Sequence, residues 1–331
     1  MDENVSTSVR QRSSQLLRRI FAFREASVLV SIIAVMLILS ILSPYFMTKA
    51  NLTTTALGFA ADGIIAIGMT IVLIIGGIDL GVGSVMALSM VTVGGLTTIY
   101  HLNIWLAVVT AVALSLLCGL FNGFLIGRVK LTPLIATLGM MSMARGGAYV
   151  ITKGSPFSMS GVPPAFRFLG SGSIFGIPTF VVIFIVMIII ADYLLRRSAP
   201  LRNLYYTGSN EKAAELSGIN VARVKLFVYV TCALLSGIAG ILTVSRFNVT
   251  APNSGMGSEL RVISACVIGG ASLTGGEGTV LGSILGIILL NFINNGLVLM
   301  RVSVYWQDLV SGAILIAVVT LDLVSHRKKA S

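Results

Sequence analysis

Charged side chains are scarce. Only 11% of the 331 residues are Asp, Glu, Lys or Arg, and just 12 are acidic. An ordinary globular domain carries about 25% charged residues, so a water-soluble fold of this size is excluded for want of polar surface. The two histidines, His101 and His326, stand in separate contexts, and the three cysteines, Cys118, Cys232 and Cys266, lie in apolar segments without paired spacing. Buried free thiols are a better reading than a metal centre or a structural disulfide. The sequence has no HExxH, GxSxG or GxxxxGK[ST] pattern. No enzyme site follows, and any ATP-driven work requires a nucleotide site on a partner.

What remains is hydrocarbon. Hydrophobic residues make up 56% of the chain, and its mean hydropathy is +0.96. Apolar runs such as 28–41, 181–191 and 284–290 recur between short, often basic connectors. Lipid absorbs such runs, because a helix satisfies its own backbone and apolar side chains avoid water. A crossing takes roughly 20 residues, so the chain has no room for a separate soluble catalytic domain. Spans are predicted at 27–43, 56–75, 82–100, 104–127, 131–151, 176–195, 224–244, 258–274, 280–300 and 306–324. The expected fold class is an all-α polytopic membrane protein of about ten transmembrane helices. Two glycine-rich regions, 75–83 and 258–280, are candidates for broken or re-entrant helices. The expected organisation is a tail at 1–26, a membrane domain at 27–324 that includes a loop at 196–223, and a second tail at 325–331.

The formal net charge of +11 sits beside the spans, where it reads as orientation rather than nucleic-acid binding. With the N-terminus in the cytoplasm and ten alternating spans, Arg128, Lys130, Arg196, Arg197, Arg202, Lys212, Arg223, Arg327, Lys328 and Lys329 fall inside, with five arginines near the start. Only Lys49, Lys153, Arg167, Arg246 and Arg301 fall outside. Both termini are therefore expected in the cytoplasm.

Isolated polar groups are the candidates for function, since charge in a membrane segment is costly. Asp79 stands in a glycine frame, 76–83, where it either fixes a helix break, faces a conduit, or caps a helix end. Asp62 reads as near an outer boundary, and Glu259, Arg261 and Asp308 as interfacial or capping residues. Arg145 lies well inside the fifth span and needs a carboxylate, several carbonyls or a wet cavity beside it. Thr137, Asn122, Asn291, Asn294 and Asn295 offer a hydroxyl and amides either to a hydroxylated solute or to neighbouring helices. Gly119 with Gly123, and Gly278, Gly282 and Gly286, give the small faces of close helix packing. The outer loop 152–175 shows no helical period and reads as a connector or as a docking surface. In the 196–223 loop, Ser209 or Asn210 caps a short helix that runs through Ser217 and stops at Gly218. So short a helix is marginal alone; it is either a plain joint or an element held against another protein.

Several segments, in order along the chain, resemble the permease subunits of bacterial monosaccharide ABC importers of the ribose, xylose, arabinose and galactose type. Gly77-Ile78-Asp79-Leu80-Gly81-Val82-Gly83 is similar to that family's IDLSVG segment, with Gly81 in place of the usual serine. Asn122-Gly123 and Thr137-Leu138-Gly139 match further segments. More distinctive is the stretch Gly208, Ser209, Asn210, Glu211, Lys212, Ala213, Ala214, Glu215, Leu216, Ser217, Gly218, Ile219 and Asn220, which looks like the segment that engages the ATPase. The runs 267–278 and 292–297 follow the pattern too. The resemblance implies a permease dimer, an ATPase with two nucleotide sites that binds MgATP, and an extracytoplasmic sugar-binding protein. It also implies import of a small sugar or polyol across a bacterial inner membrane, with no catalytic site or cofactor on this chain. An ion-coupled secondary transporter working through Asp79 or Arg145, and a receptor or scaffold without flux, are the competing classes.

Overall fold

Residues 24–303 are described by the computed structural model, together with 305–307, 309, 310, 312–314, 316, 317 and 320. The expected tails lie wholly or almost wholly outside the described residues, as does Asp308, and the span expected at 306–324 is described in part.

The chain is an all-α membrane protein. Its helices are α1 (Arg24–Leu42), α2 (Lys49–Ile74), α3 (Val82–Thr98), α4 (Ile104–Gly127), α5 (Pro133–Thr152), α6 (Pro164–Ser171), α7 (Thr179–Arg197), α8 (Ala199–Ser209), α9 (Glu211–Leu216), α10 (Val221–Phe247), α11 (Ser258–Ile268) and α12 (Val280–Leu299). Seven of them, α1, α2, α4, α5, α7, α10 and α12, are long and apolar enough to cross a membrane. These seven, counted among the described residues, compare with about ten transmembrane helices expected, with 75–83 and 258–280 as candidate broken or re-entrant regions. The shortfall has a physical cause at two of the missing three. The apolar helix α3 has only 17 residues. The expected span at 258–274 stops at Ile268, so α11 has 11 residues, roughly 17 Å against a hydrocarbon core of about 30 Å. The third falls in the partly described stretch.

Burial separates inner from outer helices. The most apolar window of α2 is 72% buried and that of α10 is 61% buried, against 17% for α1. Helix α10 packs along α2, α3 and α4, while α12 packs on α1, α2 and α11. Small residues permit this closeness. A Cβ at Gly119 or Gly123 of α4 would lie 2.6 Å or 2.8 Å from the Cα of Val230 or Leu226 on α10. Gly282 and Gly286 bring α12 as near to the carbonyls of Gly269 and Ala265. Both small-residue faces thus pack within the chain.

At the end remote from α8 and α9, the 153–178 segment is more ordered than its sequence implies. Pro164 opens α6, whose Phe166 is fully buried, and Ser245 of α10 donates to the Phe166 carbonyl at 2.6 Å. Two short antiparallel pairs complete this end. Phe157–Ser158 (β1) pairs with Val249–Thr250 (β4), and Ser173–Ile174 (β2) turns into Ile177–Pro178 (β3).

Candidate functional site

Candidate sites lie at the end that carries α8 and α9, in the segment around Asp79, and at the opposite end. Asn210, not Ser209, is the helix cap: its side chain accepts the Ala213 amide at 2.9 Å. Ser209 instead closes α8, a helix the sequence did not reveal. Gly218 ends the short helix with φ of +85°, while the Ile219 amide reaches back to the Ala214 carbonyl at 3.1 Å. Ala214 is 4% exposed and seats α9 on the protein. Glu211 joins it to α10 through Lys225, at 2.7 Å and 2.8 Å. Lys212, Glu215 and Ser217 face outward. So does Leu216, 85% exposed at the tip of the helix.

Helix α8 links this surface to both broken regions. Gly208 leaves no space for a side chain: a Cβ there would overlap the Ile74 carbonyl and come within 2.7 Å of the Gly276 amide. The Gly276 amide donates to that same Ile74 carbonyl at 2.8 Å. Gly275, at φ of +87°, turns where a Cβ would lie 2.7 Å from the Gly208 carbonyl and 2.9 Å from the Gly76 amide. Tyr205 of α8 donates to the Gly278 carbonyl at 2.9 Å. The end of α2, the end of α8 and the 269–279 segment therefore meet backbone to backbone. These contacts give the unwound chain partners for its polar groups inside the protein, as irregular backbone in a membrane protein requires.

Asp79 lies in the first broken region and is 2% exposed, so it is no surface turn. It accepts the Gly81 amide on Oδ1 at 2.8 Å, and the Cys232 thiol faces it from α10. A Cβ at Gly81 would lie 3.1 Å from Oδ1. The backbone amide at 81 thus supplies the hydrogen bond, in a space tight for any side chain there. Tyr229 closes over the segment: its hydroxyl would meet a Cβ on Gly77 at 2.5 Å.

The third place is the 252–261 segment at the other end. Arg145 donates through Nη1 to the carbonyls of Pro252 at 2.6 Å and Ser254 at 2.7 Å, with Glu259 in electrostatic reach. Carbonyls are its partners, one of the environments its position demands. Arg261 meets Asp62 at 3.4 Å and donates to Ser258 at 2.9 Å. The sequence marked both charges yet gave no sign of the pairing across 199 positions.

The polar residues proposed for a conduit have separate settings. Thr137 is fully buried and donates to the Pro133 carbonyl at 2.9 Å. Asn122 is 2% exposed, and its Oδ1 has no partner among the described residues. Asn291 donates to the Ile287 carbonyl, whereas Asn295 exchanges two amide hydrogen bonds with Asn51, at 2.9 Å and 3.0 Å. Asn294 is half-buried.

Over residues 51–319 the chain matches the family described as branched-chain amino acid transport system, permease component. It is 38% identical over 300 residues to the ribose import permease protein RbsC of Escherichia coli K12, covering 90% of this chain and 93% of that one. Identity to RbsC of Bacillus subtilis is 38% over 295 residues, 89% of this chain and 90% of the relative. Identity to the L-arabinose ABC transporter permease protein AraH of Azospirillum brasilense is 36% over 284 residues, 86% and 83% of the two chains. No solved structure matches. The family description names amino acids while these relatives are named for sugars, and all of them name a permease. The identity extends over nearly the whole membrane region, so the chain belongs to the permease family of bacterial monosaccharide ABC importers, as a transport subunit and not an enzyme.

Proposed function

We propose that this chain forms the membrane path of an importer for a monosaccharide or related small polyol, paired with a second permease copy. A partner ATPase holds MgATP at two nucleotide sites, and an extracytoplasmic binding protein delivers the solute. The reading places the protein in a bacterial inner membrane with ten crossings and both termini cytoplasmic. Arg128, Lys130, Arg196, Arg197, Arg202 and Arg223 support that orientation, because they gather at the α8–α9 end.

The observation that carries the coupling role is the meeting of Gly208, Ile74 and Gly276. The ATPase engages residues 209–218. Displacement of α9 then moves α8, and α8 has no slack against the two broken regions. ATP binding favours one arrangement of this junction over another, and the difference in contacts is what drives alternating access. Asp79 holds the first broken region in shape beneath the junction. At the opposite end, the β2–β3 hairpin, with Phe175 fully exposed at its turn, and α6 offer the surface for the binding protein. Asn122, Thr137, Asn291, Asn294, Asn295 and Arg145 are the candidates to line or support the path in other conformations.

Reconstitution tests the whole reading. Proteoliposomes holding the permease, its ATPase and its binding protein should take up a pentose, the substrate class named for the relatives, only with ATP. Uptake by the permease alone that collapses with an ion gradient would establish a secondary transporter instead. Absence of flux for every sugar and polyol in the complete, ATP-hydrolysing complex would favour a receptor.

A further inference from the structure

A cleft between α7 and α10 lies apart from all of these places. Its volume is about 260 Å³. Ile67 of α2 forms part of its floor, Ile190 and Leu194 line the α7 wall, and Phe227, Thr231 and Leu235 line the α10 wall. Thr231 is the one polar residue in the lining, and its hydroxyl already donates to the Phe227 carbonyl of its own helix at 2.8 Å. Ile190, Leu194 and Phe227 are 46–53% exposed, so the cleft opens sideways, toward lipid. Eight residues of α10 separate Phe227 from Leu235, roughly 12 Å of helix, the length of a substantial part of an acyl chain.

Both walls end in arginine at the α8–α9 end. On α10, Arg223 precedes Phe227 by one turn on the same face. On α7, Arg197 follows Leu194 by three positions and Ile190 by seven, on the same stripe. Both arginines are exposed. Their cationic neighbours are engaged, Arg196 with Asp192 and Glu25, and Lys225 with Glu211. Among the described residues no carboxylate pairs with Arg197 or Arg223. A guanidinium at the end of each wall of a slot that is apolar but for one internally bonded threonine matches a phosphate headgroup above a hydrocarbon chain. A second copy of this chain seated there by two-fold symmetry would bring the same arginines from both sides toward one seam, which the charge disfavours.

We propose that this cleft binds one anionic glycerophospholipid, with an acyl chain between α7 and α10 and its phosphate held by Arg197 and Arg223. Leu201 of α8 closes the cleft at that end, so the lipid packs against the helix that carries the proposed coupling surface.

The test is native mass spectrometry of the full-length protein, released from detergent after incubation with equal amounts of dioleoyl phosphatidylglycerol and dioleoyl phosphatidylethanolamine. The parent should retain a single phosphatidylglycerol in about tenfold preference. Arg197→Gln with Arg223→Gln, both on the surface, should abolish that preference, since each charge contributes several-fold. Ala191→Trp, which fills the cleft, should lose the bound lipid. Equal retention of both lipids by the parent overturns the proposal, and so does a preference unchanged in the double glutamine variant. Loss of dimer with lipid retention intact in Ala191→Trp assigns the cleft to a second copy and overturns it as well. Should the tryptophan variant fail to fold, the glutamine pair decides alone.

Discussion

Asp79 shows what a single side chain can hold in a membrane. Its Oδ1 accepts the Gly81 amide at the start of α3, and burial leaves no water to replace it. Leucine at this position would orphan the amide, at a cost of about 1–3 kcal/mol, while asparagine keeps an acceptor of similar shape. Asp79→Asn should therefore assemble with the complex better than Asp79→Leu, by several-fold in yield of the purified complex. Assembly and flux have to be measured separately, with transport examined across pH. Loss of proton-gradient-dependent flux in an asparagine variant that assembles normally would make Asp79 a proton carrier. A leucine variant that assembles and transports like the parent would remove both roles. The sequence singled out this aspartate because one carboxylate in a glycine frame is conspicuous. It could not show that Tyr229 and Cys232, some 150 positions away, cover it. Arg145 was legible in the same partial way. Its depth demanded partners, and the carbonyls of Pro252 and Ser254 came from a loop that carries no pattern of its own.

Among the elements, α9 is the one whose function is most directly testable. Proline at position 214 would delete the amide that bonds the Asn210 carbonyl at 3.0 Å and would strike the turn before it, at a cost of about 3 kcal/mol. A helix of six residues has little stability with which to offset that. Ala214→Pro should insert in the membrane normally, lose stable association with the ATPase, and reduce ATP-driven uptake by tenfold or more. Pull-down and uptake on the same preparation check this, and normal values in both would end the coupling role for α9. Its cap and its terminal glycine were readable from local chemistry, which is why its limits were nearly right. Helix α8 is amphipathic over its 11 residues, a pattern too short to stand out from the basic 196–223 connector before the fold is known. Its stability comes from Leu204 buried against the core and from the junction with α2. Helix α6 is likewise short and amphipathic, which corrects the expectation of no helical period at 152–175, and its Phe166 meets α10 only in the folded chain. Long apolar helices announce themselves by composition, whereas short ones depend on what they touch.

For the molecule as a whole, the conduit is the open question that labelling resolves. Single cysteines placed at Asn122, Thr137, Asn291, Asn294 and Asn295 can be probed with a thiol reagent during ATP-driven transport, with and without sugar. The native thiols at 118, 232 and 266 are all buried and should give little background. Positions 122 and 137 are sealed in this conformation, so they should react only while the complex cycles, with sugar slowing the reaction severalfold. No reaction at any position in an active complex would make the whole set helix packing. The overall class was evident from hydrocarbon content, but the number of continuous helices was not, because α3 and α11 are short and the glycine-rich segments 75–81 and 269–279 beside them are held by distant parts of the chain. That arrangement has a price in time. The Ile74 carbonyl takes its hydrogen bond from Gly276, and about 200 residues at roughly 5–20 residues per second need roughly 10–40 s to emerge. Through that interval the amino-terminal helices wait in the bilayer with the end of α2 unclosed, which makes the nascent chain, and not the finished subunit, the form most exposed to quality-control proteases.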